Sequence, residues 1–501
     1  MSRNRALAVI SWSEPALADD APATAVGAFG DGADASAQPA VHRLAKLPAM
    51  PHPRGVAPCD EPDWRRLPGY RDVSRSMWED ARWQRRNTVR SVDGLRRVFG
   101  GLLSDELAVQ IARDQQSAAT MALAIPPHAL NTMNEHDLRA DPVRRYMAPA
   151  SADRHPLWPN HPMARRDPLD ENGTSPVEGL VHRYPSKVMI ELTATCPQYC
   201  GHCTRIDLVG PRTPRVAKRA FKMRRADRYE AMLAYLRAHD EVRDVALSGG
   251  DVANVPIAHL ERFVAELLEV QHIRSIRLAS KSLISLPQHF LDPTVSAALG
   301  RLAATAHARK VDLALHTHAN HANQVTGLVA RATARLLDQG FRDVRNQGVL
   351  LRGVNATPGD LLALCERLLD GARIMPYYLY TCDMIPNAEH WRVSIAHAQA
   401  LQDSLMGRLP GFAIPRVVCD VPHVGKRLVH QPASYDRERG ISLWRRDEGS
   451  HVDAHARRGS NAGEYPYHDP IDTLPSTGQE WWAARDGHAS KRAARPAAAR
   501  R

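Results

Sequence analysis

Three cysteines lie within eight residues of one stretch, LTATCPQYCGHCTR at 192–205, in a chain of 501 residues that has seven cysteines in all. Three thiolates spaced like Cys196, Cys200 and Cys203 can ligate three irons of a [4Fe-4S] cube and leave the fourth iron open to a non-protein ligand. Two other interpretations stay open. Zinc could bind with His202 or a distant cysteine as its fourth ligand, or the thiols could be buried and unreactive.

The elements that position this cluster follow from the pattern after residue 187. Short β-rich runs alternate there with amphipathic helical patterns, and the predicted strands are 188–194, 244–249, 275–280, 311–317, 344–351, 374–380 and 415–421. Such alternation predicts a parallel sheet with helical crossovers, either an open doubly wound sheet or a complete or partial barrel. About six units favour a barrel or an incomplete one. The cysteines directly follow the first strand, at the end where barrels carry their chemistry.

The flanking regions differ in composition. Residues 1–69, rich in Ala and Pro, are predicted to be a disordered extension, and 486–501 a disordered basic tail. Residues 70–180 have helical spacing and then a Pro-rich connection, so a helical N-terminal domain with a connector is predicted. The barrel is assigned to 181–426 and a C-terminal segment to 427–485.

The formal net charge of +11 raises the question of nucleic-acid binding. Most of the excess is local, in 205–225 and in the last sixteen residues, and no zinc-finger or RRM signature accompanies it. The first twenty residues contain an apolar run too short for a signal peptide or a membrane span. The scattered cysteines outside the cluster do not suggest a disulfide framework, so a soluble, cytoplasmic protein without a membrane or nucleic-acid partner is predicted.

From Tyr70 to about Asp447 the chain resembles the lysine 2,3-aminomutase family of radical SAM enzymes. The stretches that match in order are HRYPSKV, CPQYCGHCTR, LSGGD, LPQ, THANHANQVT, NQGVLLRGVN, PYYLYTCD and VVCDVP followed by GK. The resemblance implies an α/β fold with a partial (β/α)6-type radical SAM barrel. It further implies an electron donor such as flavodoxin or ferredoxin, and family members commonly form homo-oligomers.

The resemblance also implies three cofactors: the [4Fe-4S] cluster, S-adenosyl-L-methionine and pyridoxal 5'-phosphate. The positions implied to contact S-adenosylmethionine are Ser248, Gly249, Gly250, Asp251, Ser280, His318 and Gln347. Lys426 matches the lysine that forms the Schiff base with pyridoxal phosphate, and Arg183 and Tyr184 match the phosphate-binding pair. The chain departs from the family at Lys281, where an Arg is usual, and at His423 and Val424, where the family has glycines.

The implied reaction is the interconversion of L-lysine and L-β-lysine. Arg205 matches the family position that binds the substrate α-carboxylate, and Asp383 and Asp420 match the pair that holds the distal ammonium. Two carboxylates in a partly buried pocket favour a cationic substrate. The alternatives are a 2,3-aminomutase for arginine or for a protein lysine, and, from other classes, a non-catalytic Fe-S binding protein or a nucleic-acid modifier.

Overall fold

The computed structural model describes residues 59–446 and 463–485, and a nine-stranded sheet lies at their centre. The strands occur in chain order as β1 Leu180–Tyr184, β2 Lys187–Thr193, β3 Asp244–Gly249, β4 Ser275–Ala279, β5 Asp312–Thr317, β6 Val344–Leu350, β7 Met375–Thr381, β8 Arg416–Val421 and β9 Gly425–Leu428. Strands β2 to β8 are parallel, and β1 and β9 are antiparallel edges. The seven predicted strands correspond to β2–β8. The sequence patterns do not predict β1 and β9, because both are short and carry charged residues.

Helices connect the parallel strands and cover the outside of the sheet. They are α7 Arg225–Ala238, α8 Ile257–Leu268, α9 Ser282–Ser285, α10 Gln288–Leu291, α11 Pro293–Ala308, α12 Gly327–Asp338, α13 Pro358–Glu366 and α14 Ile395–Leu405. Local signals begin several of them. Before α13, for example, Thr357 Oγ1 accepts from Asp360 N at 3.2 Å, and proline occupies the first helical position.

The two faces of each parallel strand have different surroundings. In β4, Ile276 and Leu278 are buried in the apolar core shared with the helices, whereas the side chains of Ser275, Arg277 and Ala279 line an internal cavity. The alternation arises because successive strand side chains point to opposite faces. The strands therefore present a polar inner surface to the cavity.

The two edges of the sheet meet through side chains. Arg183 of β1 donates to the Val421 carbonyl oxygen at 3.2 Å and to Asp420 Oδ1 at 2.9 Å. Tyr184 Oη accepts from Lys426 N of β9 at 3.0 Å. The sheet is therefore curled into an incomplete barrel whose last gap is closed by side chains, which confirms the predicted α/β fold class.

Helices N-terminal to the barrel pack against the cysteine-bearing loop. They are α1 Arg75–Trp78, α2 Ala81–Arg86, α3 Val92–Phe99, α4 Asp105–Ser117, α5 Pro127–Asn131 and α6 Pro142–Met147. One apolar core contains Trp78 and Ile111 of these helices together with Tyr199 and Ile206 of the loop. The helices thus cover the carboxyl ends of the strands and shield the cysteines from water.

The boundary predicted for the folded part at residue 70 is too late. Leu67 is fully buried, and Glu61 Oε2 accepts from Leu328 N at 3.0 Å. The short polar run 59–69 is fixed by contacts distant in sequence, which composition does not reveal. Residues 1–58 and the tail 486–501 lie outside the described residues, so their predicted disorder remains a prediction.

The C-terminal segment forms a second, small sheet beside the barrel. Its strands are β10 Ser434–Asp436, β11 Ile441–Arg445 and β12 Glu464–His468, followed by α15 Ser476–Arg485. Trp444 and Tyr467 from this sheet share a core with Cys419 and Val421 of β8. This packing supports the strand that precedes Lys426.

Candidate active site

The inner face of the barrel encloses a cavity of about 540 Å³. It extends from the cysteine loop at the carboxyl ends of the strands to residues at their amino ends. Every site residue predicted from the sequence lines it: Cys196, Cys200, Cys203, Ser248, Gly249, Gly250, Asp251, Ser280, His318, Gln347, Arg183, Tyr184, Lys426, Arg205, Asp383 and Asp420. Residues separated by up to 243 positions are thus gathered around one space.

The cysteine loop follows β2 and faces this space with all three thiols. Burial raises the pKa of the Cys203 thiol to about 11, and it also raises those of Cys196 and Cys200. The thiols are therefore protonated until a cation replaces their protons. Among the described residues, no group of three or more His, Cys, Asp or Glu is arranged around one common metal ion.

Two glycines at the end of β3 allow this loop to approach the sheet. Gly249 has a φ of 106°, in the region that favours glycine. A Cβ atom on Gly250 would lie 2.1 Å from the Thr195 carbonyl oxygen, and Gly250 N donates to Thr193 O at 2.6 Å. From the sequence, these glycines were predicted to let the backbone approach S-adenosylmethionine closely. The structure adds that they admit the backbone of the cysteine loop.

Asp251 connects the loop to β3 and β4. Its Oδ1 accepts from Ser280 Oγ at 2.6 Å and from Ala253 N at 2.9 Å. Its Oδ2 accepts from Ser282 N at 3.1 Å, from Ser282 Oγ at 3.0 Å and from Gln198 Nε2 at 3.3 Å. Five donors satisfy this buried carboxylate. Asp251 therefore holds the cysteine loop through Gln198, and Ser280 fixes the position of Asp251.

Lys281, the departure from the family's Arg, is buried beside the same loop. Its Nζ donates to the His318 carbonyl oxygen at 2.9 Å. Burial lowers the pKa of Lys281, while Cys200 and Asp251 act in the opposite direction. His318 itself lies with its Nε2 3.4 Å from Nε2 of His202. A cation thus faces the Cys200 thiol, where it stabilises the thiolate form.

Lys426 points into the cavity from β9. Its Nζ lies 3.8 Å from Asp420 Oδ2 and over the rings of Tyr380 and Tyr184, 5.6 and 6.0 Å from their centroids. Burial lowers the pKa of this amine, but Tyr380, Asp420 and Tyr184 raise it more, so the net shift is upward. The turn before Lys426 places His423 at a φ of 64°. That conformation favours glycine, which fits the glycines the family has there.

Arg183 is held by the barrel itself. Its guanidinium spans Asp420 and the Val421 carbonyl, as described above, and its side chain is largely buried. Arg183 therefore neutralises Asp420 and closes the barrel. To bind a phosphate as predicted, Arg183 would have to share these donors with it. Asp420, predicted to hold a substrate ammonium, already has Arg183 and Lys426 as cationic neighbours.

Asp383, at the end of β7, has a different environment. Among the described residues, no cation forms an ion pair with it within 4.0 Å. Burial raises the pKa of its carboxyl to about 8, Asp420 and Glu171 add to the rise, and Arg183 and Arg392 oppose it. A cation entering the cavity would find Asp383 without a competing partner.

Arg205 follows the cysteine loop and forms a two-pronged ion pair. Its Nε and Nη2 donate to Glu171 Oε2 and Oε1 at 2.9 and 3.0 Å, and Nε lies 3.6 Å from Glu191 Oε1. Arg219 neutralises Glu191 from the other side at 3.0 Å. The sequence interpretation missed both glutamates, because one lies in an irregular connection and the other inside an apolar strand.

A cationic group at the amino ends of the strands was also missed. Lys187, Arg277 and Arg345 line the cavity there. Arg277 pairs with Asp244, and Arg345 pairs with Asp343 at 2.5 Å. Burial, then Lys426 and Arg277, lower the pKa of Lys187. A single basic residue near the amino end of two predicted strands, Arg277 in 275–280 and Arg345 in 344–351, was the signal that could have identified this group.

Two features bear on the predicted partners. Several basic residues of 205–225 turn inward: Lys218 Nζ donates to the Ile206 and Thr120 carbonyl oxygens, and Arg219 pairs with Asp207. These two positive charges are therefore bound by groups of the chain itself. In the part of the chain that the structure describes, none of the helices combines the length and the apolar character that crossing a membrane requires.

The curled sheet, with thiols, an amine and ionisable groups around one cavity, defines an α/β barrel with a candidate active site in its interior. No protein-family model matches the sequence. The chain is 33% identical over 368 residues to the L-lysine 2,3-aminomutase of Clostridium subterminale, and the match covers 74% of this chain and 82% of that protein. It is 31% identical over 369 residues to the L-lysine 2,3-aminomutase of Bacillus subtilis, covering 74% and 72%. The chain belongs to the L-lysine 2,3-aminomutase family.

A more distant relative has another substrate in its name. Glutamate 2,3-aminomutase of Clostridioides difficile is 25% identical over 348 residues, covering 70% of this chain and 75% of that protein. A radical SAM methyltransferase structure from Sphaerobacter thermophilus is 18% identical, and the match covers 51% of this chain and 71% of that chain with a TM-score of 0.32. The predicted family membership is confirmed, and with it that the chain is an enzyme of the isomerase type.

Proposed function

We propose that the protein interconverts L-lysine and L-β-lysine by 2,3-amino migration, using a [4Fe-4S] cluster, S-adenosylmethionine and pyridoxal phosphate. The observation that supports this most is the composition of one cavity. It brings together three thiols at the radical SAM spacing, the Lys426 amine, and two groups of opposite charge, Arg205 and Asp383. An amino acid with a distal ammonium matches that charge pattern.

The residues present fit the three cofactors. The chemistry of the thiol donors suits iron, and each iron of a cube takes one cysteine, so the three sulfurs need not converge on a point. When bound, the cluster and S-adenosylmethionine supply a carbon radical that removes hydrogen, and pyridoxal phosphate supplies the conjugated carbonyl that carries the migrating amino group. Lys187, Lys281 and Lys426 all line the cavity, and Lys426, at the position that matches the family's Schiff-base lysine, is the amine that would hold pyridoxal phosphate.

The phosphate of pyridoxal phosphate needs cations near Lys426. Arg183 and Tyr184 remain the pair implied by the family resemblance, with Arg183 sharing its donors with Asp420. Lys187 adds a second cation on the same side of the cavity: its ammonium lies 4.3 Å from the centroid of the Tyr184 ring. Among the described residues no carboxylate lies within 4.0 Å of the Lys187 ammonium, and a phosphate would supply that partner.

Asp383 selects the substrate in this proposal. A distal ammonium beside it would replace the missing countercharge and favour the ionised carboxylate. The distal carboxylate of glutamate would instead meet Asp383, Asp420 and Glu171, and like charges at close range are unfavourable. Arg205 would bind the α-carboxylate at the opposite end of the substrate.

A product assay tests the proposal. The protein is purified without oxygen, reconstituted with iron, sulfide and pyridoxal phosphate, reduced, and incubated with S-adenosylmethionine and lysine, arginine or glutamate. We expect β-lysine by mass spectrometry from the wild-type protein, and none from Cys200→Ala, which also loses the cluster absorbance. β-Arginine or β-glutamate as the main product would refute the lysine assignment. Absence of any β-amino acid from a protein with intact cluster and cofactor would refute the reaction.

A further inference from the structure

The Arg205–Glu171 pair presents a conflict for substrate binding. Both side chains line the cavity and are mostly buried, with 20% and 15% exposed. Glu171 fills the Nε and Nη2 edge of the guanidinium with two parallel hydrogen bonds, the geometry in which arginine binds a carboxylate best. A substrate α-carboxylate would need the same kind of donor pair. One edge cannot serve two bidentate carboxylates.

The segment that carries Glu171 is well suited to move. Within Asp167–Ser175 the regular structure is limited to one short 3-10 turn, Asn172–Thr174. Its hydrogen bonds are largely local, such as Glu171 N to Asp167 Oδ1 at 2.9 Å. Two side-chain contacts tie it to the segment after the cysteine loop: the Arg205 pair, and Asn172 Nδ2 to Asp207 Oδ2 at 3.1 Å. Loss of the Glu171–Arg205 contact would leave the turn intact and would leave the Asn172–Asp207 hydrogen bond as the remaining one of these two contacts.

The charges around Glu171 favour exchange over a permanent pair. Glu191 lies 3.6 Å from Arg205, and both Glu171 and Asp420 act on the pKa of Asp383 as negative neighbours. An α-carboxylate that replaces Glu171 at Arg205 keeps the guanidinium neutralised. At the same time Glu171 can leave the acidic group around Asp383.

We propose that Glu171 is an internal stand-in for the substrate α-carboxylate, which displaces it from Arg205 and releases the 167–175 segment. The inference rests on the proposed function, since it takes Arg205 as the carboxylate site. It makes Glu171 a specificity-determining residue. A ligand without a carboxylate cannot compete with Glu171 and leaves the segment closed.

The test compares binding of lysine and lysinamide to the anaerobic, reconstituted protein by calorimetry, for the wild type and Glu171→Gln. The neutral amide is a weaker competitor for Arg205, so lysine should bind about tenfold more tightly to Glu171→Gln, with lysinamide nearly unchanged. The matched control is Glu178→Gln, a carboxylate of the same connector that accepts from Lys222 N and Met223 N and does not line the cavity. Its lysine affinity should equal that of the wild type.

Hydrogen–deuterium exchange supplies a readout independent of turnover. Lysine should increase exchange in residues 167–175 of the wild type, lysinamide should not, and Glu171→Gln should exchange fast without ligand. If Glu171→Gln instead weakens lysine binding, Glu171 is a support for Arg205 and the proposal is overturned. Unchanged lysine affinity also overturns it. A protein that binds lysine but forms no β-lysine refutes the reaction proposed above and leaves this comparison valid.

Discussion

Lysine binding should release a proton from Asp383. This carboxyl is buried among negative neighbours, Asp420 and Glu171, and its pKa is raised to about 8. With that pKa, about nine in ten molecules carry the protonated acid at pH 7. A lysine ammonium placed beside Asp383 supplies the missing positive charge and lowers the pKa well below 7. Each lysine bound at pH 7 should therefore displace about 0.9 proton from this group.

The affinity should follow the same titration. Because the ionised form is the one that binds the ammonium, lysine should bind more tightly as the pH rises toward 8. The ionised fraction is about 1% at pH 6 and about 50% at pH 8, so the dissociation constant should fall about fiftyfold between them. Above pH 8 the dependence on Asp383 should level off.

Calorimetry in buffers of different ionisation enthalpy measures the proton count directly. Norleucine is the matched ligand, because it has the same chain and α-amino acid group without the distal ammonium, and its binding should release no proton from Asp383. Asp383→Asn should bind lysine at least about tenfold more weakly and abolish the difference between lysine and norleucine. Equal proton release by both ligands in the wild type would refute the assignment of Asp383 to the ammonium.

Three other perturbations have expected outcomes. Gly250→Ala should prevent the cysteine loop from packing, because the new Cβ would lie 2.1 Å from a backbone oxygen, so a lowered melting temperature and loss of iron are expected. The control Gly359→Ala, whose Cβ meets nothing within 4 Å, should change neither, and normal iron content in Gly250→Ala would contradict the packing argument. Lys426→Ala should lose the pyridoxal absorbance yet keep the cluster absorbance, and retention of a covalent pyridoxal adduct after borohydride reduction would assign the attachment elsewhere. Burial and then Arg392 lower the pKa of His468 to about 4, and burial lowers that of His161 to about 2. The unfolded chain takes up protons at the ordinary histidine pKa near 6.5, so the stability present above pH 6.5 should be lost as the pH falls toward 4. In His468→Gln the free energy of unfolding, measured by thermal unfolding, should depend less on pH in that range.

The sequence by itself determined the family, the seven parallel strands and sixteen of the residues that line the cavity. Those features are local or repeated: strand runs at regular intervals, a cysteine triplet at fixed spacing and motifs in a fixed order. The positions of the cysteines, Asp383 and Asp420 at the ends of predicted strands also indicated that they meet, because parallel strands end at the same side of a sheet.

Only the tertiary structure decided how the charges pair. Arg183 and Tyr184 close the barrel because its edges β1 and β9, remote in sequence, come together. Asp420 is neutralised and Asp383 is not, although both are aspartates at the ends of strands. Glu171 occupies Arg205 from a connection with no periodic pattern. Pairing depends on distances of a few ångströms between remote segments, because a hydrogen bond needs donor and acceptor within about 3.2 Å of each other and the Coulomb energy of two charges falls with their separation. A linear pattern does not encode those distances.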